Sequence, residues 1–151
     1  MEYRYDAYCG LYCGSCTAFL ATKNNTTKKL AQEWQMDEND VICYGCKSQK
    51  VAKYCLTCPL KTCAKNKSIE FCNECAQFPC QNLENFKNSD NYPYHSEVYD
   101  YLNIIKNDGV ESWLEQMKIR WSCQVCGREH DWFTLVCPEC GQELNAYKKP
   151  E

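Results

Sequence analysis

Fifteen cysteines in a chain of 151 residues, most of them in pairs with two residues between, constrain this sequence more than any other feature. At that density, composition implies either a disulfide scaffold or a set of metal sites. Compartment decides between the two. The N-terminus, Met1-Glu2-Tyr3-Arg4-Tyr5-Asp6, has neither the basic region nor the apolar stretch of a secretory signal, so a cytoplasmic chain with reduced thiols is expected. No apolar run approaches the roughly eighteen residues of a membrane span, and no membrane partner is expected.

The cysteines fall into two blocks. Eleven lie from Cys9 to Cys80 and four from Cys123 to Cys140. The first eighty residues hold few large aliphatic side chains, so a conventional core there is thin and metal must substitute for it. The formal net charge of -3 gives no global reason to expect nucleic acid. Between Cys43 and Ser68, however, Lys47, Lys50, Lys53, Lys61, Lys65 and Lys67 occur with no acidic residue. Such a run either binds phosphate or offsets the charge of metal-bound thiolates, and the second use is the commoner.

Between the blocks the pattern is helical. Val98, Leu102 and Ile105 share one face of a segment that starts near Ser96 and ends at Asn107-Asp108-Gly109. Val110, Trp113, Leu114, Met117 and Trp121 follow at helical spacing, and both stripes read as core. In the first block, Asn25-Thr26-Thr27 precedes a helix of about ten residues carrying Leu30, Ala31 and Trp34. Another is expected to start at Pro79 and to carry Leu83 and Phe86 inward. The remainder reads as turns around metal, with CxxCxxxxC occurring at Cys55/Cys58/Cys63 and again at Cys72/Cys75/Cys80.

The last four cysteines form the strongest local signal. Cys123-Gln-Val-Cys126-Gly127 and Cys137-Pro-Glu-Cys140-Gly141 are two turns of the kind that brings paired sulfurs to one ion, each followed by a glycine. The intervening Asp131–Val136 is rich in strand formers, and the whole resembles a short zinc ribbon. A structural staple is the favoured role, since no lysine cluster marks the tip; Arg128, His130, Trp132 and Phe133 would make contact if the ribbon bound a partner.

The first block opens with Cys9-Gly10-Leu11-Tyr12-Cys13-Gly14-Ser15-Cys16 and continues with Cys43-Tyr44-Gly45-Cys46, Cys55, Cys58, Cys63, Cys72, Cys75 and Cys80. The ordered elements CGLYCGSC, LAQEW, CYGC, CLTCPLKTCA and FCNECAQFPC resemble a cysteine-rich prokaryotic family known as domain of unknown function 3795, over roughly residues 5 to 90. The resemblance implies a cytoplasmic metal-binding module, common in bacteria and archaea that live without oxygen, with an unassigned role. The C-terminal ribbon lies outside it.

Eleven ligands do not divide evenly. The four CxxC pairs make two four-thiolate sites in any of three ways and leave Cys9, Cys63 and Cys80 over. Alternatively the triplets Cys9/Cys13/Cys16, Cys55/Cys58/Cys63 and Cys72/Cys75/Cys80 are three sites, two of them completed by Cys43 and Cys46, and the third by Asp6, His95 or water. The first triplet has the CxxxCxxC spacing of enzymes that use S-adenosylmethionine with an iron–sulfur cluster, but nothing in the chain alternates strand and helix to build the barrel such chemistry needs. A cluster without that chemistry is compatible with the thiols. With only His95 and His130 and no phosphate loop, no catalytic centre is expected.

The expectation is therefore a small, irregular α+β fold organised by metal: a cysteine-rich module over residues 1–90, a helical segment over 91–121 and a zinc ribbon over 122–151. All fifteen cysteines are expected metal ligands, for two to four zinc ions. The expected role is a non-enzymatic interaction or regulatory module, with a protein partner admitted and nucleic acid not favoured. The alternatives are an iron–sulfur or thiol redox protein using Cys9/Cys13/Cys16, and a nucleic-acid-binding ribbon protein.

Overall fold

The computed structural model describes residues 2–150. Among the described residues the chain forms seven α-helices joined by the turns that carry most of the cysteines. They are α1 (Thr17–Lys23), α2 (Thr27–Trp34), α3 (Glu38–Val41), α4 (Pro59–Asn66), α5 (Gln81–Lys87), α6 (Val98–Asp108) and α7 (Val110–Arg120). None is long and apolar enough to cross a membrane. Short 3-10 turns occupy Cys13–Ser15, Lys53–Cys55, Cys72–Glu74 and Pro93–Glu97.

The β part of the expected fold consists of three isolated antiparallel bridges, Asp6 with Tyr12, Ser122 with Glu129 and Val136 with Glu143. Strand-forming residues at 131–136 do not make a strand, for a local reason. The Asp131 carboxylate accepts hydrogen bonds from the Phe133 amide at 3.0 Å and the Thr134 hydroxyl at 2.6 Å. A side chain that satisfies nearby donors in this way offers the backbone a turn in place of a ladder.

The helical middle follows its pattern closely. Val98, Leu102 and Ile105 of α6 are buried, as are Trp113 and Met117 of α7 and Trp121 just beyond it. Gly109, with φ near +88°, makes the abrupt change of direction between the two helices. Ser96 lies in the 3-10 turn ahead of α6 and caps nothing. Helix α5 starts at Gln81, two residues after Pro79, with Cys80 at its cap. Thr27 opens α2, but its hydroxyl donates to Glu38 on α3 at 2.8 Å, and α2 packs on α3. Helix α4 was not anticipated, although Pro59 at its first position is the usual signal. Cys63 therefore sits on a helix and not in a turn.

Two clusters of buried side chains result. The larger gathers Tyr12, Phe19, Phe71, Leu102, Trp113 and Trp132, with Cys9 and Cys13 among them. The smaller is built from little residues, Ala18, Ala21, Leu30, Ala31, Val41 and Ala52, around Cys43. Aromatic rings thus supply in the first block the area that aliphatics do not.

His95 lies within this aromatic packing. Its ring stacks on Phe86 at 3.6 Å, and Nδ1 lies 3.1 Å from the Phe86 carbonyl. Burial pushes its pKa down to about 4, against the raising effect of that carbonyl. A group lowered on folding leaves the unfolded chain holding more protons, so its stabilising effect is complete above about pH 6.5 and is lost as pH falls to about 4. His95→Gln is expected to flatten the loss of stability across that window, checked by denaturant titration of both proteins at each pH.

Candidate metal centre

The C-terminal centre is built by two copies of one turn. In the first, the Cys123 amide donates to the Arg128 carbonyl at 2.8 Å and the Gly127 amide to the Cys123 carbonyl at 2.8 Å. In the second, Cys137 donates to Gln142 at 2.8 Å and Gly141 to Cys137 at 2.9 Å. Gly127 and Gly141 have φ near +79° and +78° with open space where a Cβ would stand, so backbone conformation and not crowding calls for glycine there. The four Sγ atoms of Cys123, Cys126, Cys137 and Cys140 lie within 4.8 Å of one another, close enough to bind one ion together. Cys123 and Cys140 sulfurs are 3.5 Å apart, and Cys126 and Cys137 sulfurs 3.6 Å.

The turns also prepare the sulfurs electrically. The Cys126 amide, followed by that of Val125, hydrogen-bonds to Cys123 and pulls its thiol down to about 6. Amides of Cys140 and Glu139 lower Cys137 in the same way. The Cys140 thiol is instead pushed up to about 12: the Gln142 amide opposes this, but desolvation and the three neighbouring sulfurs prevail. Four crowded sulfurs cannot all ionise alone, and a cation relieves that repulsion.

The segment that carries these four cysteines is fastened to the rest of the molecule. Trp132 stacks face to face on Tyr94 at 3.7 Å, and Phe133 meets the same ring edge-on at 5.5 Å. Thr17 of α1 donates to Asp131 at 2.9 Å, and Lys23 pairs with Glu129 at 3.0 Å. Of the four residues that would make contact if this segment bound a partner, Trp132 and His130 are 7% and 4% exposed and are used inside the molecule. Arg128 pairs with Glu139 at 2.7 Å.

The first block is arranged differently. Cys9, Cys13 and Cys43 are buried and the other eight half-buried. Burial pushes the Cys9 and Cys13 thiols well up, and Cys16 up to about 11. The charges Cys9 meets are those of Cys46, Cys58 and Cys72, whereas Cys13 meets Cys46, Cys16 and Cys43. Cys46 neighbours both Cys9 and Cys13, and its amide donates to Cys13 Sγ at 3.4 Å. Of the outside ligands considered, Asp6 pairs with Lys47 at 2.9 Å, and His95 faces the Phe86 carbonyl.

The lysine run is largely engaged. Lys47, with its side chain 3% exposed, also pairs with Glu70 at 3.2 Å and lies 3.9 Å over the Phe71 ring. Lys50 donates to the Asn39 carbonyl at 2.6 Å, Lys53 lies 3.9 Å from Asp40, and Lys67 donates to Cys75 Sγ at 3.0 Å. The pattern overlooked Tyr54, whose hydroxyl lies 3.6 Å from Cys16 Sγ, because a lone tyrosine before a cysteine carries no periodic signal.

A family model described as a protein of unknown function (DUF3795) matches residues 5–85, more than half of the chain. No curated protein and no solved structure matches it.

Proposed function

The chain belongs to that family of unknown function, and from this premise we propose that it is a cytoplasmic, non-enzymatic zinc protein whose metals organise a surface for another macromolecule, with a protein partner favoured over nucleic acid. One observation carries the zinc reading: the four convergent ribbon sulfurs. Thiolates about 2.3 Å from one zinc stand about 3.8 Å apart at the corners of a tetrahedron, and the ribbon pairs at 3.5 and 3.6 Å are near that spacing. Four thiolates close the coordination shell, which suits a structural ion and leaves no position for substrate.

The metal's contribution here would be cohesion. Cys123, Cys126, Cys137 and Cys140 would hold it, and the amide bonds to Cys123 and Cys137 would stabilise the thiolates it requires. The engagement of Lys47 and Lys53 with carboxylates, of Lys50 with a backbone carbonyl and of Lys67 with Cys75 Sγ argues against phosphate binding, and the burial of Trp132 supports a staple over a base-stacking tip.

Cys126 and Cys140 are the exposed members of the quartet, so changing one removes a ligand with little loss of packing. Cys126→Ser is expected to lower the zinc content of anaerobically purified protein by about one equivalent and to lower the melting temperature, because the ribbon is tied to Tyr94 and Thr17. Unchanged zinc by native mass spectrometry would end the reading. An iron–sulfur module is the second reading, favoured by the burial of Cys9 and Cys13, since a low-dielectric shell is one of the levers on cluster potential. Iron with stoichiometric sulfide, and broad absorbance near ~400 nm, would select it.

A further inference from the structure

Of the fifteen cysteines, Cys126 and Cys140 alone are exposed, and the others are buried or half-buried. Each of the two touches a buried partner on the opposite turn. Cys140 Sγ stands 3.5 Å from Cys123 Sγ, and Cys126 Sγ 3.6 Å from Cys137 Sγ. Both contacts cross between the turns, and neither joins the two cysteines of one CxxC motif. An exposed sulfur with a second sulfur in contact behind it is the arrangement that lets a thiol take up an oxidant and then pass to a disulfide.

The turns are held together by more than their sulfurs. Arg128, just after the first turn's glycine, pairs with Glu139 of the second at 2.7 Å. The chain between them is anchored on the helical part by the Trp132–Tyr94 stack, the Thr17–Asp131 bond at 2.9 Å and the Lys23–Glu129 pair at 3.0 Å. None of these contacts uses a sulfur, so loss of an ion leaves each sulfur pair close. A disulfide sets its sulfurs about 2.05 Å apart, so each pair has roughly 1.5 Å to close.

Resting on the zinc reading above, we propose that the zinc-loaded quartet is an oxidation site for peroxides, at which Cys126 and Cys140 are struck first and the products are the cross-turn disulfides Cys123–Cys140 and Cys126–Cys137. Zinc holds coordinating sulfurs as thiolates, so the exposed pair is nucleophilic while the ion is bound. The Cys140 thiolate attacks one peroxide oxygen; the O–O bond breaks, hydroxide leaves and the sulfur becomes a sulfenic acid. The Cys123 thiolate then attacks that sulfur, the S–O bond breaks and a second hydroxide leaves. The sulfur pair has given two electrons to the peroxide, and solvent protons turn both hydroxides into water. A second peroxide does the same at Cys126 and Cys137. Zinc loses its donors and passes into solution. The disulfides replace the cross-link that the ion supplied, so zinc leaves while the segment stays folded.

The test treats the intact protein, purified without oxygen, with limiting hydrogen peroxide. An indicator dye follows zinc, near-ultraviolet dichroism follows the tryptophans, and free thiols are alkylated before digestion with trypsin. Cleavage after Arg128 parts the two turns, so a cross-turn disulfide joins the peptides Trp121–Arg128 and Glu129–Lys148, whereas one within a turn leaves them separate. A further cut after Glu139 and tandem mass spectra assign the partners. The expected result is loss of about one equivalent of zinc, joined peptides with the stated pairs, and little change in dichroism. Cys126 and Cys140 should lose their free thiols before any cysteine of the first block, and a thiol reductant with added zinc should restore the starting protein. Disulfides within each turn, the pairs Cys123–Cys137 and Cys126–Cys140, sulfinic acids at the exposed sulfurs, or earlier oxidation of the first block would overturn the proposal and leave the zinc reading standing. Full alkylation of all four C-terminal cysteines before any peroxide is added would end the zinc reading itself.

Discussion

Stripping the protein of metal without oxygen is expected to abolish its native near-ultraviolet dichroism and its cooperative melting. Structural zinc contributes about 10–16 kcal/mol of binding energy in small thiolate modules, against a total domain stability of about 5–15 kcal/mol. The losses should spread beyond the ligands. Cys9 and Cys13 are members of the larger core with Trp113 and Trp121, and Trp132, between the two C-terminal cysteine pairs, is stacked on Tyr94 in the same core. Three of the four tryptophans, Trp113, Trp121 and Trp132, therefore report on the released metal through one cluster. Retention of the native spectrum and melting point after complete chelation would remove the basis for a metal-organised fold.

Trp113→Ala is expected to cost about 3–5 kcal/mol, the largest loss from a single change away from the sulfurs. Its ring is fully buried, with edges or faces toward Tyr12 at 6.1 Å, Phe71 at 6.5 Å and Tyr101 at 6.2 Å. Tyr12 lies between Cys9 and Cys13, and Phe71 precedes Cys72, so the cavity would open beside cysteines of the first block. The variant should release metal from the first block faster than the parent as well as melt lower. Trp113→Phe should be far milder. The indole Nε1 is buried with no partner among the described residues, so deleting it forfeits no hydrogen bond. Urea titration of the two variants checks the ranking, and equal losses would mean that the ring's volume is not what matters.

The helical middle was legible because its signal is periodic. Trp113, Met117 and Trp121 repeat at helical spacing over a stretch long enough for the stripe to stand out. Helices α1 and α4 were not, since each is short and begins immediately after a cysteine whose motif reads as a turn. The aromatic residues of the C-terminal segment left two roles open for a related reason. Residue type reveals that Trp132 is a large amphipathic ring but not which side of the molecule it faces, and the face is decided by Tyr94, nearly forty positions earlier.

The quartet of Cys123, Cys126, Cys137 and Cys140 was determined by the sequence alone, because every step that assembles it is local: a two-residue spacing, a glycine with positive φ, and one short loop to close. The grouping of the other eleven was not. Their motifs offer several pairings of comparable local cost, and the surroundings of each sulfur are set by distant segments, such as the Tyr8 carbonyl that accepts the Cys72 amide and Tyr54 against Cys16. Spacing along a chain selects which sulfurs can share an ion, but where many can, packing selects which of them do.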